Sequence, residues 1–193
     1  MWGWREINLE LKTEAKMLAD EADAYLRASA SITVVRRLLL PQSPYSLLLW
    51  ASQGASMVVV GRGHPTGILD KLVGSTAYGL AEHAHAPVVV VPEGWPAGRT
   101  DQGPVVLGVD GYDDAATTFA KEFSDLAGAS LVEAHANHSP ATALLDRAAT
   151  ASLVVIGGRQ RHRMLPAPVG SVAHALLRRC PCPLAIAHHS EMP

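Results

Sequence analysis

Two short apolar runs in this 193-residue chain end on glycine, and in each case a Gly-Ser pair follows thirteen residues further on. The first set is Gly61 with Gly74 and Ser75; the second is Gly157 with Gly170 and Ser171. Glycine at a strand end lets the backbone turn sharply and lets a ligand approach closely. A helix that opens at Gly-Ser presents unpaired N–H groups and a partial positive charge, which together favour phosphate. Serine there either caps the helix or donates its hydroxyl to an anion. Plain capping is the competing explanation, and duplication copies caps as readily as sites. The intervening Gly61-Arg-Gly63-His-Pro-Thr-Gly67 is neither a dinucleotide fingerprint nor a P-loop, which would need a Gly-Lys-Ser/Thr ending. Hydride transfer and P-loop hydrolysis of nucleotides are therefore not expected.

The other reactive residue types form weaker patterns. Arg159-Gln-Arg161-His162-Arg163 is the densest basic stretch and lies inside the second glycine loop. It reads as a solvated loop or, alternatively, as guanidinium groups gripping phosphate. Nine histidines invite a metal, but His83 and His85 are two apart near a helix end and His188-His189 lie in a tail. None has Cys, Asp or Glu at ligand spacing, so no metal site is expected. Cys180-Pro-Cys182 lacks the two-residue spacing of zinc and redox motifs, and cysteines where a helix meets a buried strand read as small core residues. No nucleophile–base pair and no paired carboxylates stand out. Asp113-Asp114 suits a helix start, so no catalytic residue is assigned.

The elements that hold these residues repeat. Sliding the chain by 96 positions aligns Ser43-Pro44 with Ser139-Pro140, Ala55–Gly61 with Ala151–Gly157, and Val73-Gly74-Ser75 with Val169-Gly170-Ser171; 16 of the 49 ungapped positions from Ser43 to Val91 are identical. Each copy predicts a helix after Ser-Pro (Tyr45–Gln53, Ala141–Thr150) and a β-branched strand apolar enough to be covered on both faces (Met57–Val60, Leu153–Ile156). A loop, a helix opening near Gly-Ser and a final buried strand (Val88–Val91, Leu184–Ala187) follow. Helix–strand–loop–helix–strand is an α/β pattern. Before the first copy come a polar helix, Ile7–Ala28, and a candidate strand, Ile32–Arg37. Before the second come a strand, Val105–Val109, closing on Asp110-Gly111, a helix, Asp113–Leu126, and a strand, Leu131–His135. The turn-rich stretch 93–103 joins domains predicted at 1–92 and 104–193.

Composition narrows the partners. The chain is 48% hydrophobic and 18% charged, which is globular, and its formal net charge of −2 supplies no positive field for nucleic acid or an anionic membrane. No apolar run approaches a membrane span, Met1-Trp-Gly-Trp-Arg-Glu does not read as a signal peptide, and two cysteines make no disulfide framework. A cytoplasmic location is the expectation.

The strand–Gly…Gly-Ser–helix–Pro-Val-Val-Val-Val ending, together with the Val-Val-Leu-Gly-Val-Asp110-Gly111 opening of the second half, resembles the universal stress protein family. The resemblance runs from about Ile7 to His188 and is most specific at the last two-strand unit. It implies a flavodoxin-like (adenine nucleotide alpha hydrolase-like) α/β fold, parallel sheets flanked by helices, here as two tandem truncated repeats. It also implies ATP held by Gly-two residues-Gly-nine residues-Gly-Ser/Thr. By that resemblance Asp110 lines the nucleoside side, Gly157 permits close approach, and Gly170, Ser171 and Val172 hold phosphate. Gly61, Gly74, Ser75 and Thr76 make half a pocket. His64 and Gln160 stand where the motif's second glycine belongs, with Gly63 one position early. A complete family domain has five strands in the order 3-2-1-4-5. The first half lacks the opening strands, and the second lacks a helix and the third strand. Either strands 3 and 4 of the first half close up, or the halves share a sheet, or Met1 is not the natural start. Final strands commonly pair between family domains, which implies an internal pseudo-dimer or a homodimer through Val88–Val91 and Leu184–Ala187. The expected function is ATP-binding regulation in stress response. An interaction module of the same fold that binds no nucleotide is the alternative, and a nucleotide-hydrolysing enzyme is a third possibility.

Overall fold

Ser43 and Pro44 show how the repeat starts each unit. Proline's fixed φ suits the first helical turn, and Ser43 Oγ accepts the amide of Ser46 at 3.3 Å, so the helix α1 (Pro44–Ala51) begins there. A computed structural model describes residues 13, 16, 17, 20–28, 43–63, 75–96, 103–109, 114–135, 139–158 and 170–188. The chain divides into two units, residues 1–41 and 42–193. In the first, residues 20–28 are helical, with Arg27 Nε 2.9 Å from Asp23 Oδ1 one turn away. The expected strand Ile32–Arg37 and most of the expected helix before residue 20 lie outside the described residues.

In the second unit, a 3-10 turn (Ser52–Gly54) leads from α1 to β1 (Val58–Gly61), then α2 (Ser75–His83) and β2 (Val88–Val91). The later half contributes β3 (Val105–Val109), α3 (Asp114–Ala127), β4 (Leu131–His135), α4 (Pro140–Ala148), β5 (Leu153–Gly157), α5 (Ser171–Arg179) and β6 (Leu184–Ala187). Every expected element among the described residues of this unit is present, with ends within two residues of the expected ones. The α/β class is therefore as read.

The arrangement answers one of the open alternatives, that the halves share a sheet. All six strands form one sheet in the order β1-β2-β6-β5-β3-β4. Every neighbouring pair is parallel except β2 and β6, which run antiparallel with Val88 opposite Ile186 and Val90 opposite Leu184. The halves thus share a single mixed sheet rather than each closing a parallel sheet of its own. Equivalent backbone bonds recur in both: Val58 N donates to Pro87 O at 2.8 Å, and Val154 N donates to Pro183 O at 3.0 Å.

Two apolar layers sandwich the sheet. On one face Val58, Val88, Val106, Val154 and Ile186 pack under α1, α2, α4 and α5. On the other, Val89, Leu107, Val155 and Ala185 pack under α3, whose Ala116, Ala120 and Ser124 recur every four residues and let the helix approach closely. Because α3 belongs to the later half, it does not reach the far end of that face. Val59 in the edge strand β1 is 58% exposed, where its apolar run predicts cover on both sides. The reason is positional: β1 lies beyond the reach of the helix that buries β3, β5 and β6.

Candidate functional site

Strand order singles out one place on the sheet edge. From β3 the chain passes through α3 to β4 on one side, then through α4 back across to β5 on the other. Neighbouring strands whose connections leave in opposite directions open a crevice at their carboxyl ends, where open α/β sheets hold ligands. The ladders display that parting directly. Gly108 and Val109 remain paired with Ala134 and His135 of β4, and Ile156 and Gly157 with Ile186 and Ala187 of β6. Between β3 and β5, however, pairing stops at Leu107 and Val155.

Of the second set of predicted residues, Gly157, Gly170, Ser171 and Val172 are described. Gly157 ends β5, half-buried, and the next amide, Gly158 N, donates to Ala187 O at 2.6 Å. Gly170 is the N-cap of α5, extended at φ −58 and ψ 155, and its carbonyl accepts His174 N at 2.9 Å. Its N-cap residue is a glycine, so among the described residues no side chain caps that helix. Ser171 is therefore the exposed first residue of the helix and not its cap, and Val172 is half-buried against the core. A helix start whose N-cap is a glycine leaves its first amides without a capping side chain of its own, and such amides suit an anion. Asp110, Gln160 and the arginine stretch 159–163 lie outside the described residues.

The first set falls elsewhere. Because β2 and β6 are antiparallel, the carboxyl ends of β1 and β2 lie on the opposite edge of the sheet from those of β3, β4, β5 and β6. Gly61 ends β1, exposed, and Thr76 is half-buried in the first turn of α2, which Ser75 opens; Gly74 and His64 lie outside the described residues. Among the described strands no switch point forms at that edge, since β2 is flanked by the antiparallel β6. The loop that leaves β1 does other work. Arg62 N donates to Val91 O at 2.8 Å, and Arg62 Nη1 reaches across to Cys180 O at 2.9 Å, tying the first half to the turn that enters β6. Gly63 sits at φ 78, a conformation that favours glycine, so its part is the turn that frees Arg62 for this reach.

Sequence reasoning did not find Arg62, whose partner is 118 residues away. It also passed over Gly108, where a Cβ would come within 3.1 Å of Leu144 Cδ1 and 3.2 Å of Ile156 Cγ2. The glycine inside an otherwise apolar strand was the available signal for that close packing. His83, considered as a ligand, turns its Nδ1 to Gly79 O at 3.0 Å, and its ring meets that of Tyr45 edge-on at 6.4 Å. Among the described residues no group of three His, Cys, Asp or Glu side chains converges as a metal site. No helix among them is long and apolar enough to cross a membrane.

A family model described as Universal stress protein family matches residues 4–92 and 113–188. Universal stress protein Rv1996 of Mycobacterium tuberculosis is 36% identical over 87 residues, which cover 44% of this chain and 27% of that protein. A universal stress protein of Mycolicibacterium smegmatis is 38% identical over 90 residues, covering 46% of this chain and 31% of that protein. The matches thus span under a third of these relatives' length. Universal stress protein Rv2623 of M. tuberculosis aligns more broadly, 25% identical over 201 residues, 79% of this chain and 68% of the other. Among solved structures, a universal stress protein from Archaeoglobus fulgidus superposes with a TM-score of 0.72 at 16% identity, covering 97% of this chain and 83% of that one. A functionally unknown protein from Pseudomonas aeruginosa does so at 0.64 and 15%, covering 92% and 78%. At such identity these two likenesses speak for the fold alone.

Proposed function

The chain belongs to the universal stress protein family, a stress-response family, and from that premise we propose that its later half binds ATP or another adenine nucleotide in the crevice between β3 and β5. The observation that carries this reading is the parting of β3 from β5 beyond Leu107 and Val155, with the uncapped start of α5 in the same strand–helix unit. Gly157 lets the phosphates approach the strand end. The amides of Gly170, Ser171 and Val172 hold them, with the Ser171 hydroxyl as a further donor. Asp110, which follows β3, is assigned to the nucleoside side. Gly61, Gly74, Ser75 and Thr76 belong to a half-pocket without a switch point, and we assign them no nucleotide.

The protein then acts as a cytoplasmic regulatory binder, with no catalytic residue assigned. The antiparallel β2–β6 seam supports reading it as an internal pseudo-dimer, and nucleic acid and membrane are not among its proposed partners. Native mass spectrometry of the purified chain and an ATP titration by calorimetry test the proposal. Retained adenine nucleotide, or saturable binding lost in Gly170→Asp, is the expected result. Silence in both assays overturns it and leaves a module that works through its surfaces. Rapid phosphate release would instead indicate a hydrolase.

A further inference from the structure

We propose that Cys180 and Cys182 form a redox pair that a peroxide-class oxidant converts to an intrachain disulfide beside the seam between the two halves. Their sulfurs lie 3.7 Å apart across Pro181, in the turn that carries α5 into β6. These are the chain's two cysteines, so neither has another thiol of the same chain to meet. The earlier copy of the repeat has Ala84 and Ala86 at the corresponding positions, buried to the same degree, so apolar packing at this turn does not require sulfur.

The surroundings favour oxidation of this pair. Arg62, arriving from the other half, donates to the Cys180 carbonyl at 2.9 Å and brings a fixed positive charge to the turn. The hydrogen bond with Cys182 holds the Cys180 thiol below the ordinary range; burial opposes this, and the Arg62 charge adds to it. Cys182 is pushed the other way, chiefly because it shares that bond, and so keeps its proton. Both thiols are almost wholly buried, at 2% and 1% exposure, which shields them from large reagents. Arg62, Val90, Pro92 and Leu177 close round the two cysteines and leave no water-sized space, so a small oxidant reaches the thiols as the turn opens locally.

The chemistry balances with hydrogen peroxide as the two-electron oxidant. The Cys180 thiolate attacks one peroxide oxygen, the O–O bond breaks, and hydroxide leaves to take up the proton released by the thiol, giving sulfenic acid and water. Cys182 sulfur then attacks the sulfenic sulfur, and its proton leaves with the departing oxygen as a second water. Two thiols and one peroxide become one disulfide and two waters. Closing the sulfurs from 3.7 Å to about 2.05 Å draws in the turn whose carbonyl Arg62 holds. The inference does not depend on nucleotide binding.

The full chain is reduced, desalted, exposed to graded hydrogen peroxide, then denatured and alkylated with N-ethylmaleimide for intact-mass measurement. The expected product is a monomer lighter by two hydrogen atoms that takes up no label, against two labels on the reduced control, and dithiothreitol restores both. Cys182→Ala is expected to stop at a sulfenic acid on Cys180 that dimedone traps, and Arg62→Met to slow oxidation several-fold. Three results on the wild-type chain each overturn the proposal: both thiols still labelled at peroxide levels that oxidise free glutathione, disulfide-linked dimers, or sulfinic acid with no intervening disulfide.

Discussion

The two copies of the helix–strand–helix–strand unit share a backbone plan and differ in what surrounds it. In each, an amide near the start of the first strand (Val58 or Val154) bonds the carbonyl of the proline before the second strand, and the amide after the glycine bonds the second strand's last carbonyl. The later copy has β3 and β4 beside β5, which creates the parting at the carboxyl edge and places α3 over the opposite face. The earlier copy is flanked by β6 on one side, and among the described strands its β1 is the last of the sheet. Its glycine loop is turned to a structural use, sending Arg62 to Cys180. A duplicated motif thus meets a parting of strands in one copy and forms a clasp in the other, because the parting belongs to the strand order and not to the loop.

Fusion of the two units into one core can be broken most severely at Leu80 and Leu176, which correspond under the 96-residue shift and are both fully buried in the same cluster. Each Leu→Ala change is expected to cost about 2–5 kcal/mol in urea unfolding. Both should lower one common transition of the unit that holds the sheet; a separate early transition for Leu80→Ala alone would mean that the halves unfold independently.

Function sharpens the contrast next. Gly170→Asp places a carboxylate where phosphate is proposed to bind, so ATP affinity should fall at least about 100-fold, or about 2.7 kcal/mol, in calorimetry. The negative φ at Gly170 admits the side chain, and Asp is a good N-cap, so the thermal midpoint should not drop. Gly74→Asp in the earlier copy should leave ATP binding unchanged.

Smaller effects follow from packing and from the clasp. Gly108→Ala pushes a methyl against Leu144 and Ile156 and is expected to cost about 1–3 kcal/mol in the same urea experiment. Arg62→Met removes the hydrogen bond to Cys180 O for about 0.5–1.5 kcal/mol. At Gly61 a methyl would meet, among the described residues, only Gly63 N at 4.0 Å, so Gly61→Ala should shift stability by no more than about 0.5 kcal/mol. A large loss at Gly61 would mean that the earlier glycine is as constrained as its counterparts in the later half.

Much of this architecture was legible in the residues. Ser-Pro starts, four-residue β-branched runs and glycine punctuation are local signals, because proline and glycine act on φ and ψ at their own positions. The elements they mark appear where expected, from α1 at Pro44 to β6 at Leu184. The glycines and helix starts of the candidate site were readable for the same reason. Less legible was the use of each copy: both carry Gly…Gly-Ser at one spacing, and although the residues inside the two loops differ, neither loop states which strands will flank it. The exposure of Val59 was hidden too, since cover over β1 depends on where α3 comes to lie.

By itself, then, the sequence determined the kind and order of the elements, the duplication and the residues capable of meeting phosphate, all of which depend on neighbours a few positions apart. Only the tertiary structure decided that β2 meets β6 antiparallel, that β3 and β5 part, and that Arg62 reaches Cys180. Those outcomes rest on hydrogen bonds and packing between segments far apart along the chain, where the choice of partner is a competition among whole strands and no local residue preference settles it.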